Sequence, residues 1–187
     1  MEYIKPEEII ELFKEKFDGS IINSKIEIKT AGLKRNSYNI IQLQINSEDL
    51  KNAVKLLSTL HFPHLAIISG NDMGEEIELV YHFSIYYGER FKEISIDLSI
   101  HLSKKDLRIA TITDLIPGAQ VTEREMKEMM GITFEGLPDL PNLFLPKDFS
   151  KNIYPLRRDE KGIYPLSMNG NYVGNNIVKK EEVKKIE

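Results

Sequence analysis

The spacing of apolar residues switches repeatedly between a helical period and an alternating one, and the switches divide the chain into elements. Pro6 stands where a first helical turn tolerates it, with Glu7 and Glu8 set against the helix dipole. Ile9, Ile10, Phe13 and Phe17 form the apolar stripe of that helix, and Gly19 ends it. Residues 22–29 then alternate around Ile26 and Ile28, and residues 38–45 around Ile41, Leu43 and Ile45, which predicts a hairpin turning through Ala31-Gly32 and Asn36. Ser47 is placed to cap a second helix that opens with Glu48 and Asp49 and buries Leu50, Ala53, Val54, Leu57 and Leu60. Three strands follow over residues 65–69, 77–87 and 91–102, with turns at Asn71-Asp72-Met73-Gly74 and Gly88-Glu89. Residues 108–115 read as a short strand or a connector, and a third helix runs from near Val121-Thr122 to Gly131. This order predicts an α+β fold, a mostly antiparallel sheet with helices packed on one face.

The segment after that helix obeys neither period. Pro138, Pro141, Pro146 and Pro155 lack a backbone N–H and restrict the residues before them, which excludes a helix interior or a central strand. Phe134, Leu137, Leu140, Leu143, Phe144, Leu145, Phe149 and Leu156 make it too apolar for a solvated linker. It reads as a long extended C-terminal arm that needs a groove. The expected organisation is a globular domain over residues 1–120, a helix and docking arm over 121–159, and a polar, loosely ordered tail over 160–187 that ends in KKEEVKKIE.

Composition narrows the chemistry. With 41% hydrophobic and 29% charged residues, the chain of 187 residues can bury a real core. A net charge of −4 leaves no basic footprint for nucleic acid. The absence of cysteine excludes a disulfide, a thiol nucleophile and a cysteine-held iron–sulfur cluster in this chain. The opening MEYIKPEEII has no signal-peptide pattern, and no apolar run approaches the roughly 20 residues of a membrane span. The Lys, Glu and Ile bias, without Cys or Trp, matches a thermophile's composition.

Candidate reactive groups have plainer readings beside them. His61 and His64 are spaced for a metal, but they also suit a helix end and a turn fixed by Pro63. Glu123, Arg124, Glu125 and Glu128 offer carboxylates for a free-standing acid–base enzyme; as i,i+4 pairs, Glu123–Lys127 and Arg124–Glu128 are ordinary helix chemistry. Met126, Met129 and Met130 give that helix an adaptable second face. No Ser-His-Asp arrangement or phosphate-cradling glycine loop is legible. Arg157, Arg158 and Asp159 follow Pro155, so a fixed pair of guanidinium groups is expected to key the arm into an acidic seat on a partner.

The order Thr111-Ile112-Thr113-Asp114-Leu115-Ile116-Pro117-Gly118-Ala119, Glu123-Arg124-Glu125, Gly131-Ile132, Phe134-Glu135-Gly136, Pro138-Asp139-Leu140, Leu145-Pro146-Lys147-Asp148-Phe149 and Pro155-Leu156-Arg157-Arg158-Asp159 resembles the 30 kDa subunit family of respiratory complex I. That family includes the matching subunits of membrane-bound, energy-converting nickel–iron hydrogenases. The resemblance implies an α+β domain without a cofactor of its own, whose arm docks on the catalytic large subunit of a complex at the cytoplasmic face of the membrane. Partner subunits, the large one and an iron–sulfur small one, would carry the iron–sulfur clusters and any nickel–iron centre. Glu123, Arg124, Glu125, Phe134, Pro138, Leu140, Leu145, Pro146, Phe149, Pro155, Leu156, Arg157, Arg158 and Asp159 are the docking residues it implies.

The sequence departs from the quinone-linked members. Glu128-Met129-Met130-Gly131 stands where they have Asp-Leu-Phe-Gly, Leu137 replaces a His, and Asn142 replaces an Arg. Phe149-Ser150-Lys151-Asn152-Ile153-Tyr154 replaces their Trp-x-Gly before Pro-Leu-Arg. These departures look more like an archaeal ferredoxin-linked hydrogenase or its sulfur-reducing sibling than a complex I.

Overall fold

The structure is a computed structural model and describes residues 3–31, 36–88, 92–149 and 153–158. The expected turn at Gly32, the turn residue Glu89, Phe91, Asp159 and the tail over 160–187 lie outside the described residues. Helix α1 (Pro6–Lys16) carries acidic residues in its first turn and basic ones in its last, both complementing its dipole. It is followed by β1 (Ile21–Ala31) and β2 (Asn36–Ile45), antiparallel as the alternation predicts. Ser47 does not cap a helix with its side chain. Ser47–Asp49 form a single 3-10 turn, from which α2 (Leu50–Leu60) starts.

Strands β3 (His64–Asp72), β4 (Glu76–Ile85) and β5 (Ile94–Ser103) then fold as an antiparallel meander. The five strands lie in the order β1-β2-β5-β4-β3, so β5 pairs with β2 in parallel and joins the hairpin to the meander. Three of the four pairings are antiparallel, and the sheet is mixed but mostly antiparallel as expected.

One face of the sheet is buried and the other is half exposed. Ile41, Leu43, Leu79, Tyr81, Ile96, Leu98 and Ile100 sit at alternate positions of β2, β4 and β5 and are covered by the helices. Ile9 and Phe13 of α1 and Leu50, Val54 and Leu57 of α2 complete that core. Burial of these side chains stabilises the body by about 1.5–3 kcal/mol each.

The chain then forms β6 (Arg108–Ala110) and α3 (Ala119–Met130), and returns as β7 (Thr133–Glu135), parallel to β6. The expected start of α3 was two residues late, and β7 carries no periodic signal because it is three residues long. Helix α3 packs on β3 at Gly70, where an added Cβ would stand 2.9 Å from Met126 Sδ and 3.1 Å from Met130 Cγ. A larger residue there would have to push the two Met side chains aside.

Candidate functional site

Helix α3 has two working faces. Ala119, Glu123, Met126 and Met130 follow one another at helical spacing and are buried against the sheet side. Arg124, Lys127 and Glu128 lie together on a second face and hold the segment that follows β7.

Glu123 was expected as a polar key toward a partner or as one half of a pair with Lys127. It is instead wholly buried. Its Oε1 accepts from the Ile112 amide at 2.8 Å, and its Oε2 accepts from the Thr111 hydroxyl. Burial raises its carboxyl above the ordinary value, against the pull of those two donors. The carboxylate therefore ties α3 to the Thr111–Ala119 stretch from inside. Its position was legible after all, since Glu123, Met126 and Met130 share one apolar stripe. Tyr81 lies close enough to feel its charge, and the Tyr81 hydroxyl is buried without a hydrogen-bond partner among the described residues.

Glu128 does the opposite work. Its Oε1 accepts from the amide of Leu143 at 2.6 Å, and its Oε2 accepts from those of Phe144 and Leu145, both at 2.9 Å. Burial alone would raise this carboxyl, but the three amides and the charge of Arg124 outweigh it and hold it below the ordinary value. Arg124 Nη2 donates to the Pro141 carbonyl at 2.6 Å, and Lys127 meets Asp139 at 3.3 Å. Glu125 beside them is half-buried.

The far end of the segment is clasped back onto the body. The Leu156 amide donates to the Met129 carbonyl at 3.2 Å, and Arg157 Nε donates to the Met130 carbonyl at 2.7 Å. The Arg157 guanidinium also lies 4.1 Å over the Tyr154 ring. Gly131 ends α3 at φ 69, and a Cβ there would run into Tyr154 and Arg157. The Arg158 amide donates to Asp72 Oδ2 at 2.7 Å. Asp72 also takes Lys104 Nζ at 2.6 Å and the Gly74 amide at 2.9 Å. Burial pushes the Asp72 carboxyl up, and these donors more than reverse it. Arg157 thus serves this chain's own helix end, where the sequence suggested an acidic seat on a partner; the exposed side chain of Arg158 is turned outward.

The remaining expected docking residues divide by depth. Phe134 belongs to the core through β7. Leu145 and Phe149 are half-buried and line a cavity of about 320 Å³ between the end of α3 and the loop, while Pro138 and Pro146 are exposed and Pro155 is half-buried. Leu140, Leu143, Phe144 and Leu156 remain 41–50% exposed. Residues 139–145 and 154–158 are thus each held against the body, while these four apolar side chains stay exposed.

Elsewhere the fold assembles what the sequence did not reveal. On the half-exposed sheet face His82 Nε2 lies 2.9 Å from Ser69 Oγ, and His82 Nδ1 lies 2.7 Å from Asp97 Oδ1. The linear order Ser-His-Asp exists here after all, built by strand register across β3, β4 and β5. None of the three lines the cavity beside α3. His61 and His64 both lie against Tyr87, with ring centroids 4.8 and 5.8 Å away. Among the described residues no group of three or more His, Asp or Glu is arranged to hold a metal ion, and no helix is long and apolar enough to cross a membrane.

The fold and the loop define an α+β domain that carries a fixed, outward-facing apolar loop on its third helix. The chain belongs to the family described as the 30 kDa subunit of respiratory-chain NADH dehydrogenase, whose model matches residues 43–165. It is 33% identical over 160 residues to the membrane-bound hydrogenase subunit beta of Pyrococcus furiosus, covering 85% of this chain and 88% of the relative. It is 35% identical over 103 residues to a subunit of the NADH-quinone oxidoreductase of Chloroherpeton thalassium, covering 54% of this chain and 41% of that one. Its fold matches a chain in the structure of the membrane-bound sulfane sulfur reductase, an archaeal respiratory membrane complex. That match has a TM-score of 0.66 at 21% identity and covers 82% of this chain and 84% of the other. The relatives are subunits of oxidoreductase complexes.

Proposed function

We propose that this chain is a non-catalytic assembly subunit on the cytoplasmic arm of a membrane-bound, ion-pumping oxidoreductase. It docks on the catalytic large subunit of a ferredoxin-linked hydrogenase or sulfur reductase, beside the iron–sulfur small subunit. The region over residues 121–159 is the docking element, carried by the globular body. The observation that supports this reading is the fixed loop, which holds Leu140, Leu143 and Phe144 outward at the cost of leaving them wet. Two of the three α3 carboxylates that an acid–base enzyme could use are occupied within the chain, Glu123 by Thr111 and Ile112 and Glu128 by three amides. Iron–sulfur clusters, and a nickel–iron centre in the hydrogenase case, would belong to the partners.

Purification of the native complex through a tag on this chain tests the reading. The expected outcome is co-purification of the large and small subunits, with redox activity in the complex and none in the isolated chain. Turnover by the isolated chain would overturn it. A second reading, a quinone-reducing complex of the NADH dehydrogenase type, is favoured by the likeness to the NADH-quinone oxidoreductase of Chloroherpeton thalassium. Nickel in the purified complex decides for hydrogenase. Without nickel, quinone-dependent turnover selects the second reading, and turnover with a sulfur compound selects the sulfur reductase.

A further inference from the structure

Exposed apolar side chains on a segment with no helix or strand are expensive to use in binding, because ordering the loop on contact costs entropy. In this chain part of that ordering is already present, through polar anchors on α3. Leu143, Phe144 and Leu145 present three successive amides to a single acceptor, an arrangement that commonly receives an anion. Here the anion is the carboxylate of Glu128, supplied by α3 from 15 to 17 residues earlier. Arg124 fixes the same turn from its other side through the Pro141 carbonyl. With their amides held in this way, Leu143 and Phe144 keep their side chains 45% and 48% exposed.

We infer that Glu128 is the positioning residue of the docking surface. Its carboxylate gathers the three amides and so presents Leu140, Leu143 and Phe144 as a preformed apolar knuckle for an apolar groove on the catalytic large subunit. The inference rests on the docking role proposed above and assigns the part of α3 that makes the loop fit to dock. Glu128 itself is 8% exposed and turned into the loop, so it acts through the loop's shape. Asp at this position, with a shorter reach, keeps the charge but moves the amides closer to the helix. Gln keeps the size and offers one acceptor oxygen in place of two.

The test measures hydrogen exchange in the free full-length chain, and affinity for the cognate catalytic large subunit. For Glu128→Gln, exchange protection at Leu143, Phe144 and Leu145 is expected to fall roughly ten- to hundredfold, with affinity reduced by a similar factor. The thermal midpoint of the sheet body is expected to stay close to that of the native chain, and Glu128→Asp to recover part of both losses. Unchanged affinity despite lost protection overturns the inference, because the loop's prior shape then does not matter. Lost affinity with retained protection also overturns it, since Glu128 would then be touching the partner itself. Phe144→Asp separates this from the parent reading. If that variant assembles normally, docking through this loop fails altogether. If it does not assemble while Glu128→Gln does, only the role of Glu128 fails.

Discussion

The sheet body and the loop that follows β7 sit side by side on α3 but are held by different forces. The body is closed by the buried faces of Ile41, Leu43, Leu98 and Ile100 under α1 and α2, so its stability is spread over many side chains. The described residues 136–149 and 153–158 that follow are held by polar anchors as well, Asp72, Arg124, Glu128 and Arg157. Distributed apolar burial tolerates small changes anywhere. A loop hung on a few charged side chains loses its shape when one of them goes. Two carboxylates little more than one turn apart on α3 condense the contrast. Glu123 is buried to tie the body together, and Glu128 is ionised to shape the loop.

The largest effect is expected in the body. Leu98→Ala should destabilise the chain by about 2–5 kcal/mol, seen as a lowered denaturant midpoint with no change in the contacts that hold the loop. Loss of loop order at native stability in this variant would break the contrast. Asp72→Ala comes next. It strands Lys104 and the amides of Gly74 and Arg158, and a cost of about 1–3 kcal/mol is expected to fall on the clasp. Proteolysis should then cut near residues 153–158 while the body keeps its midpoint. A body that melts with the clasp would make the two regions one cooperative unit.

Acid should separate the regions more gently. The folded values of Asp72 and Glu128 lie below the ordinary 3.8 and 4.5, so their stabilisation is present above those values and is lost as pH falls through the lower folded ones. Glu123 lies above 4.5 in the fold, so its contribution is complete below that value and declines as pH rises through the folded one. Lowering the pH from neutral should therefore first favour the body around Ile112, and release the loop amides only once it falls below the ordinary carboxylate values. Hydrogen exchange at Ile112 and at Leu143–Leu145 as a function of pH checks the order, and simultaneous release of both sites would contradict it. The smallest effect concerns the unpartnered Tyr81 hydroxyl beside Glu123. Tyr81→Phe removes a buried polar group without a partner and should stabilise the body by about 1 kcal/mol in thermal unfolding. A destabilised variant would mean that the hydroxyl has a partner after all.

Most of the body was legible because its signals are local. The alternation of Ile41, Leu43 and Ile45, the stripe of Leu50, Val54 and Leu57, and the stop at Gly131 each lie within a dozen residues. The insertion of β5 beside β2 was not legible, since strand order depends on which edges meet after the helices have covered the sheet. The candidate site was legible only in its residue types. Prolines and exposed leucines announced a segment outside regular structure that needed anchoring, and the family motifs located it.

The sequence by itself determined the longer helices and strands, the exclusion of cysteine chemistry from this chain, and the presence of an apolar segment after α3. Only the tertiary structure decided that Arg157 faces its own helix end and that the Arg158 amide meets Asp72. It alone also chose the donors that meet Glu123 and Glu128, and aligned Ser69, His82 and Asp97 across three strands. The physical reason is reach. Periodicity and turn chemistry act between neighbours in sequence, whereas a carboxylate takes whichever donors the folded chain brings within about 3 Å of it.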